Sequence, residues 1–192
     1  MSHILRSATA ADLPHAARTL ALAFDRYPWT RWSIPADRYE ARLEELQTLY
    51  LKHALCHGLV LIDEEVRGVG AFLPPDTPEP GGDTQARIAE LLGNRLEILV
   101  GLQLPSLPSD AWNLATLGVH PGSAGKGLGS AIISEGLRQI DGIGSVGLET
   151  SDERNVQLYV RHGFIITATT QIPGGPSVYS MRRDLLPAKE ER

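Results

Sequence analysis

The segment from Leu114 to Ile133, LATLGVHPGSAGKGLGSAII, constrains this chain more than any other. A short apolar strand runs into a loop with glycines at 122, 125, 127 and 129, and the loop runs straight into a helix. A helix start carries unpaired N–H groups and about half a positive charge. Glycines in front of it let the backbone come within hydrogen-bonding distance of an anion, usually a phosphate. The expectation is a strand–loop–helix unit built around a phosphate-bearing ligand. A glycine-rich turn without a ligand is the plainer alternative, and four glycines in eight residues would be a costly way to make one.

Spacing sorts the phosphate ligands. A nucleoside-triphosphate loop needs Gly-x-x-x-x-Gly-Lys-Ser/Thr. Here Gly125-Lys126 is followed by Gly127, and His120 stands where the first glycine belongs. A dinucleotide fingerprint needs Gly-x-Gly-x-x-Gly. Counting from Gly125 or from Gly127 ends on Ser130 or Ile132, so that spacing also fails.

Val119-His120-Pro121 followed by Ala124-Gly125-Lys126-Gly127-Leu128-Gly129 resembles the acyl-coenzyme A loop of the GNAT N-acetyltransferases. That loop reads Gln/Arg-x-x-Gly-x-Gly/Ala after a strand ending in Val-x-Pro. Ala124 stands where the pattern has Gln or Arg, so one side-chain contact is absent. The resemblance implies that acetyl-CoA lies against Leu117, Val119, Ala124, Gly125, Lys126, Gly127, Leu128, Gly129 and Ser130. Main-chain amides from about Gly125 to Ser130 would hold its pyrophosphate.

A second block runs from Glu149 to Phe164. Asn155 and Tyr159 are four apart and share one helix face, and Gly163-Phe164 ends that helix and starts a strand. This is similar to the GNAT pattern of Asn, then Tyr, then Gly-Phe. It implies that Asn155 contacts coenzyme A and that the Tyr159 hydroxyl lies near its sulfur, placed to return a proton to the departing thiolate. Without the family, Tyr159 also reads as a half-buried aromatic at a sheet edge.

The attacking amine must lose a proton. Strand alternation puts Ser145, Gly147 and Glu149 on one face and Val146, Leu148 and Thr150 on the other. Gly147 leaves room beside Glu149, whose carboxylate is the candidate base; a structural hydrogen bond is the other reading. Some GNAT enzymes carry a base at this position, others on the strand before the glycine loop, where this chain has Asn113. His120 is a second base candidate or a solvent-side loop histidine. The resemblance also implies a bulge within Leu117 to Val119, at Gly118, freeing an N–H for the substrate carbonyl.

The likeness narrows to the puromycin N-acetyltransferases over Arg6-Ser7-Ala8-Thr9, 18–24 and Tyr27-Pro28, and again from Trp112 to Met181. Residues 60–110 match poorly. It implies a primary amine of a small molecule as acceptor, puromycin-like or another antibiotic or metabolite amine. Tyr27, Trp29 and Trp32 in the aromatic-rich loop 25–32 are the candidate substrate contacts, with packing between the first two helices as the alternative for either Trp. A protein or peptide amine, or a non-catalytic acyl-CoA-binding module, are the competing functions. Cys56, in a helical apolar stretch, reads as a core thiol, which favours direct transfer.

Composition bounds the rest. A chain of 192 residues suits a single domain over 1–192. A net charge of −5 argues against nucleic acid, and no metal site is assigned. One cysteine excludes an intrachain disulfide, and no apolar run approaches 18 residues. With no leader pattern at the N-terminus, the expectation is a cytoplasmic protein away from membranes, monomer or homodimer.

Periodicity and punctuation predict strands at 3–6, 59–62, 66–73, 112–119, 145–150, 164–171 and 177–183. They predict a helix after Thr9 or Asp12, one capped by Asp37 and stopped at Gly58, one over 84–101 interrupted at Gly93, one to about Ile140, and one over 154–162. Residues 74–83 read as a linker. This order fits the GNAT family, whose α/β fold is a three-layer α/β/α sandwich around a mixed, mostly antiparallel sheet.

Overall fold

The structure, a computed structural model, describes residues 3–140 and 144–185; the ends of the expected 1–192 domain lie outside them. Strands β1 (Leu5–Ser7), β2 (Leu59–Asp63), β3 (Gly68–Leu73), β4 (Ala111–Val119), β5 (Gly144–Thr150), β6 (Ile165–Gln171) and β7 (Ser177–Leu185) form one sheet in the order β1-β2-β3-β4-β5-β7-β6. Every neighbouring pair is antiparallel except β4 and β5. The helices are α1 (Leu13–Phe24), α2 (Pro28–Ser33), α3 (Tyr39–His57), α4 (Gly82–Leu92), α5 (Leu96–Val100), α6 (Leu128–Gln139) and α7 (Glu153–Arg161). The parallel step from β4 to β5 needs a crossover, and α6 supplies it.

Alternation along the strands builds two cores. Val60, Ile62, Val69 and Ala71 pack on Leu20 of α1 and Leu51 and Ala54 of α3. Leu61 and Phe72 face the other way, into a cluster with Ile132 of α6, Val146, Leu148 and Tyr159. Each such aliphatic or aromatic side chain stabilises the fold by about 1.5–3 kcal/mol on burial. The three-layer α/β/α sandwich therefore follows from the period-two pattern of the strands. No helix among the described residues is long and apolar enough to cross a membrane.

One detail of the sheet positions the site. β4 and β5 pair only at Ala111↔Ser145, Trp112↔Val146 and Asn113↔Gly147. Beyond that, β4 stays with β3 as far as Gly68↔Val119, and β5 stays with β7 as far as Thr150↔Tyr179. The two central strands diverge and leave a wedge in the middle of the sheet.

Several local expectations change. The aromatic segment folds into α2 rather than a loop, with Pro28 at its first position, where a missing N–H costs nothing. Asp37 does not cap α3; Arg38 does, at φ 53°, and Asp37 pairs with the Arg42 guanidinium at 2.7 Å. The interrupted helix becomes α4, a tight turn over Gly93–Arg95, and α5. Cys56 is exposed, not in the core. The buried line of α3 runs through Leu43, Leu46, Gln47, Leu51 and Ala54, and position 56 falls off that face.

Candidate active site

After β4 the chain turns through Pro121–Ser123, where His120 Nδ1 accepts the N–H of Gly122 at 3.1 Å. That bond makes His120 a turn cap, and it does not line the cavity described below. Gly125 (φ 75°) and Gly127 (φ 83°) then take left-handed conformations, which cost an L-residue about 1–2 kcal/mol. Gly127 caps α6 with no side chain to satisfy the helix start. From Gly125 to Ser130, no backbone N–H has a protein hydrogen-bond acceptor among the described residues. Six donors in succession at a helix N-terminus suit a diphosphate. Lys126 braces the loop, its Nζ donating to Gly122 O at 3.0 Å and its carbonyl meeting His3 Nε2 at 2.9 Å. Ala124, exposed on the loop, offers only a methyl. Ser130 Oγ lies 2.6 Å from His162 Nε2, and burial, with Arg183 and Arg161 nearby, pushes that imidazole's pKa down.

A cavity of about 400 Å³ fills the wedge between β4 and β5. Its walls bring together Leu117 of β4, Glu149 of β5, Asn155 and Tyr159 of α7, and Tyr27 and Trp29. The loop residues and Val119 stand outside it; Val119 packs over the start of α6, 3.6 Å from where a side chain on Gly129 would begin. Trp32 is not in its wall either. Its indole lies against the β6–β7 turn, where a Cβ on Gly175 would sit 2.9 Å from Nε1, and its ring is 5.5 Å from that of Trp29.

Tyr159 is buried, and its ring meets Phe164 edge-on at 5.8 Å. Its hydroxyl makes no hydrogen bond among the described residues and is not sealed in, so it opens on the cavity it lines. Burial, with a smaller contribution from Tyr27, pushes the phenol pKa well up. The group is a protonated donor at neutral pH.

Glu149 remains exposed to the cavity, yet the packing around it pushes its carboxyl pKa up, opposed by the hydroxyl of its cross-strand partner Ser180. Its access does not come from Gly147. A Cβ there would lie 2.1 Å from Leu107 Cδ2, so Leu107 covers that spot and Glu149 is reached through the wedge.

The bulge is also displaced from its expected position. Phe72 pairs with Leu114 and Ala71 with Thr116, which leaves Ala115 as the extra residue of β4, exposed and in the cavity wall. Gly118 pairs regularly with Val69. Its lack of a side chain serves packing, since a Cβ would fall 2.6 Å from Leu20 Cδ2 of α1.

Besides lining the cavity, Tyr27 ties two segments together. Its hydroxyl accepts the Ser151 N–H at 2.7 Å and lies 2.9 Å from Thr150 Oγ1, while Ser151 Oγ accepts the Trp29 N–H at 3.1 Å. The α1–α2 junction is thereby clasped to the end of β5. The sequence reading missed Gln47, Tyr50 and His53, which line the cavity from α3. No local signal singles them out, since Tyr50 falls on the apolar stripe of α3.

Among known proteins, the model of the acetyltransferase (GNAT) family matches residues 21–164. A Corynebacterium glutamicum protein described as histone acetyltransferase HPA2 and related acetyltransferase is 25% identical, with a TM-score of 0.78 over 98% of this chain and 99% of that one. The ribosomal-protein-S18-alanine N-acetyltransferase of Escherichia coli shares the fold at 15% identity and a TM-score of 0.60, over 100% of this chain and 99% of that one. So does yncA of Salmonella typhimurium, solved with its cofactor acetyl-CoA, at 16% identity and a TM-score of 0.55 over 100% and 99% of the two chains. Matched by the family model from before the aromatic segment to the end of the second motif, the chain belongs to the GNAT family of acetyltransferases, which use acetyl-CoA.

Proposed function

We propose that this chain moves an acetyl group directly from acetyl-CoA to a primary amine of a small molecule. The observation that carries the reading is the row of unpaired N–H groups from Gly125 to Ser130, together with a wedge that ends at the free hydroxyl of Tyr159. The row takes the diphosphate. The β4 edge facing β5, which has no ladder beyond Asn113, takes the arm that follows, with the Asn155 amide in reach of the same space. The backbone at the Ala115 bulge offers a donor to the acetyl oxygen as it gains charge.

In the reaction, Glu149 takes a proton from the incoming ammonium, directly or through one water, and the amine nitrogen attacks the thioester carbon. The C–N bond forms, the C–S bond breaks, and Tyr159 gives its proton to the departing thiolate. Glu149 passes that first proton to solvent and then relays the amine's second proton the same way; one of the two restores Tyr159, and the other is the net proton released. Cys56 is exposed and not in the cavity wall, which supports transfer without an acetylated enzyme. The aromatic walls at Tyr27 and Trp29, and the similarity of 18–24 and 173–181 to the puromycin N-acetyltransferases, favour a small-molecule acceptor.

Acetyl-CoA at a hundredfold excess over its Kd is expected to raise the melting temperature by roughly 5–10 °C. Thiol release should then require an added amine from a panel of puromycin, aminoacyl nucleosides, aminoglycosides and peptides. Stabilisation without thiol release across the panel would leave a binding module instead. The loop is tested separately by Gly127→Val, because a β-branched residue at φ 83° must strain the turn or abandon it. Titration calorimetry should show acetyl-CoA affinity lowered by about tenfold or more.

A further inference from the structure

Ser180 of β7 is 4% exposed, and among the described residues its Oγ alone is a fully enclosed side-chain polar atom without a hydrogen-bond partner. An unpaired hydroxyl in such a place costs free energy, so its retention needs a reason. The strand register supplies one. Ser180 stands directly opposite Glu149 in the β5–β7 pairing, on the same face of the sheet. Directly opposed residues bring their Cβ atoms to about 4.5–5.5 Å, a gap that a glutamate carboxylate crosses by side-chain rotation alone. On its other flank Ser180 pairs with Ala168 of β6, which offers only a methyl. The nearby Thr167 hydroxyl donates to the main chain instead, to Ser180 O at 3.1 Å. Glu149 is the polar partner within reach.

Few charges compete for that carboxylate. Arg182, two residues along β7 on the same face, pairs with Asp184 at 3.2 Å. From the other elements the cavity wall brings Tyr27, Tyr50 and His53 of α3, and Tyr159 of α7. Burial raises the carboxyl's pKa, and the Ser180 hydroxyl is the influence set against it.

We propose that Ser180 is a positioning residue for the base: its hydroxyl donates to the ionised Glu149 carboxylate, holding one oxygen against the sheet and turning the other toward the wedge. This rests on the reading of Glu149 as the base. A donor aimed at a carboxylate favours its charged form, which is the form that takes the amine's proton. Once Glu149 is protonated the bond weakens, and the carboxyl is free to turn and release the proton to solvent.

The test follows the Glu149 titration by NMR in protein carrying carboxyl-¹³C glutamate, with Glu149→Gln identifying its signal. The pH profile of kcat/KM is measured beside it at saturating acetyl-CoA. Ser180→Ala removes only the oxygen. It should raise both the Glu149 midpoint and the acidic limb by about one pH unit, so that kcat/KM on that limb falls about tenfold. Ser180→Thr, which keeps the hydroxyl, should bring both back toward wild type. An unmoved Glu149 midpoint in Ser180→Ala, whatever happens to its melting temperature, would overturn the proposal and mark the hydroxyl as structural. So would a folded threonine variant that titrates like the alanine one. An acidic limb that survives in Glu149→Gln would instead overturn the base itself, and the NMR midpoint would still decide whether Ser180 holds the carboxylate.

Discussion

Tyr159→Phe is expected to lower kcat by about 10²–10⁴ while acetyl-CoA binds as before. The phenol is held protonated by burial, so it can donate to a thiolate at neutral pH. Removing its oxygen breaks no hydrogen bond among the described residues, and the edge-on packing against Phe164 is available to phenylalanine unchanged. Melting temperature and acetyl-CoA affinity, measured on the same preparation, should therefore stay close to wild type. A variant that loses affinity or melts much earlier, in proportion to its lost turnover, would show that the tyrosine serves packing rather than proton transfer.

Glu149→Gln should lower kcat/KM by about 10²–10³ and remove the acidic limb of its pH profile. The carboxyl titrates above its ordinary range, and in the proposed reaction its ionised form takes the proton. In the wild type, activity should fall as pH drops through that raised value; a glutamine has no such step. Stability runs the other way. A carboxyl raised on folding favours the native state most below its unfolded pKa, and that contribution is lost as pH rises through the folded one. Glu149→Gln should thus melt no earlier than wild type at neutral pH. Earlier melting with an unaltered pH profile would mark a structural role.

The parts of the site legible in the sequence are those fixed by local geometry. Gly125 and Gly127 sit at left-handed positions that only a short spacing rule is needed to find, and Asn155 and Tyr159 share a face because they are one helical turn apart. What stayed hidden depends on which elements meet. Gly147 read as open space until Leu107 was seen over it, and the bulge moved from Gly118 to Ala115 because strand register is set by β3, not by where glycine falls. Trp29 and Trp32 could not be separated from each other until the β6–β7 turn was seen to take one of them. Tyr50 reads in the sequence as part of the apolar stripe of α3, and nothing local marks Gln47 or His53, because the cavity all three line is assembled from distant segments.

The phenol of residue 27 grips both Thr150 and Ser151, so the aromatic wall of the cavity and the strand end that carries Glu149 are stitched into one piece. New acceptor preferences in such an enzyme have to arise by exchanging side chains such as Trp29 in place. Re-aiming the whole aromatic segment would drag the end of β5, and Glu149 with it.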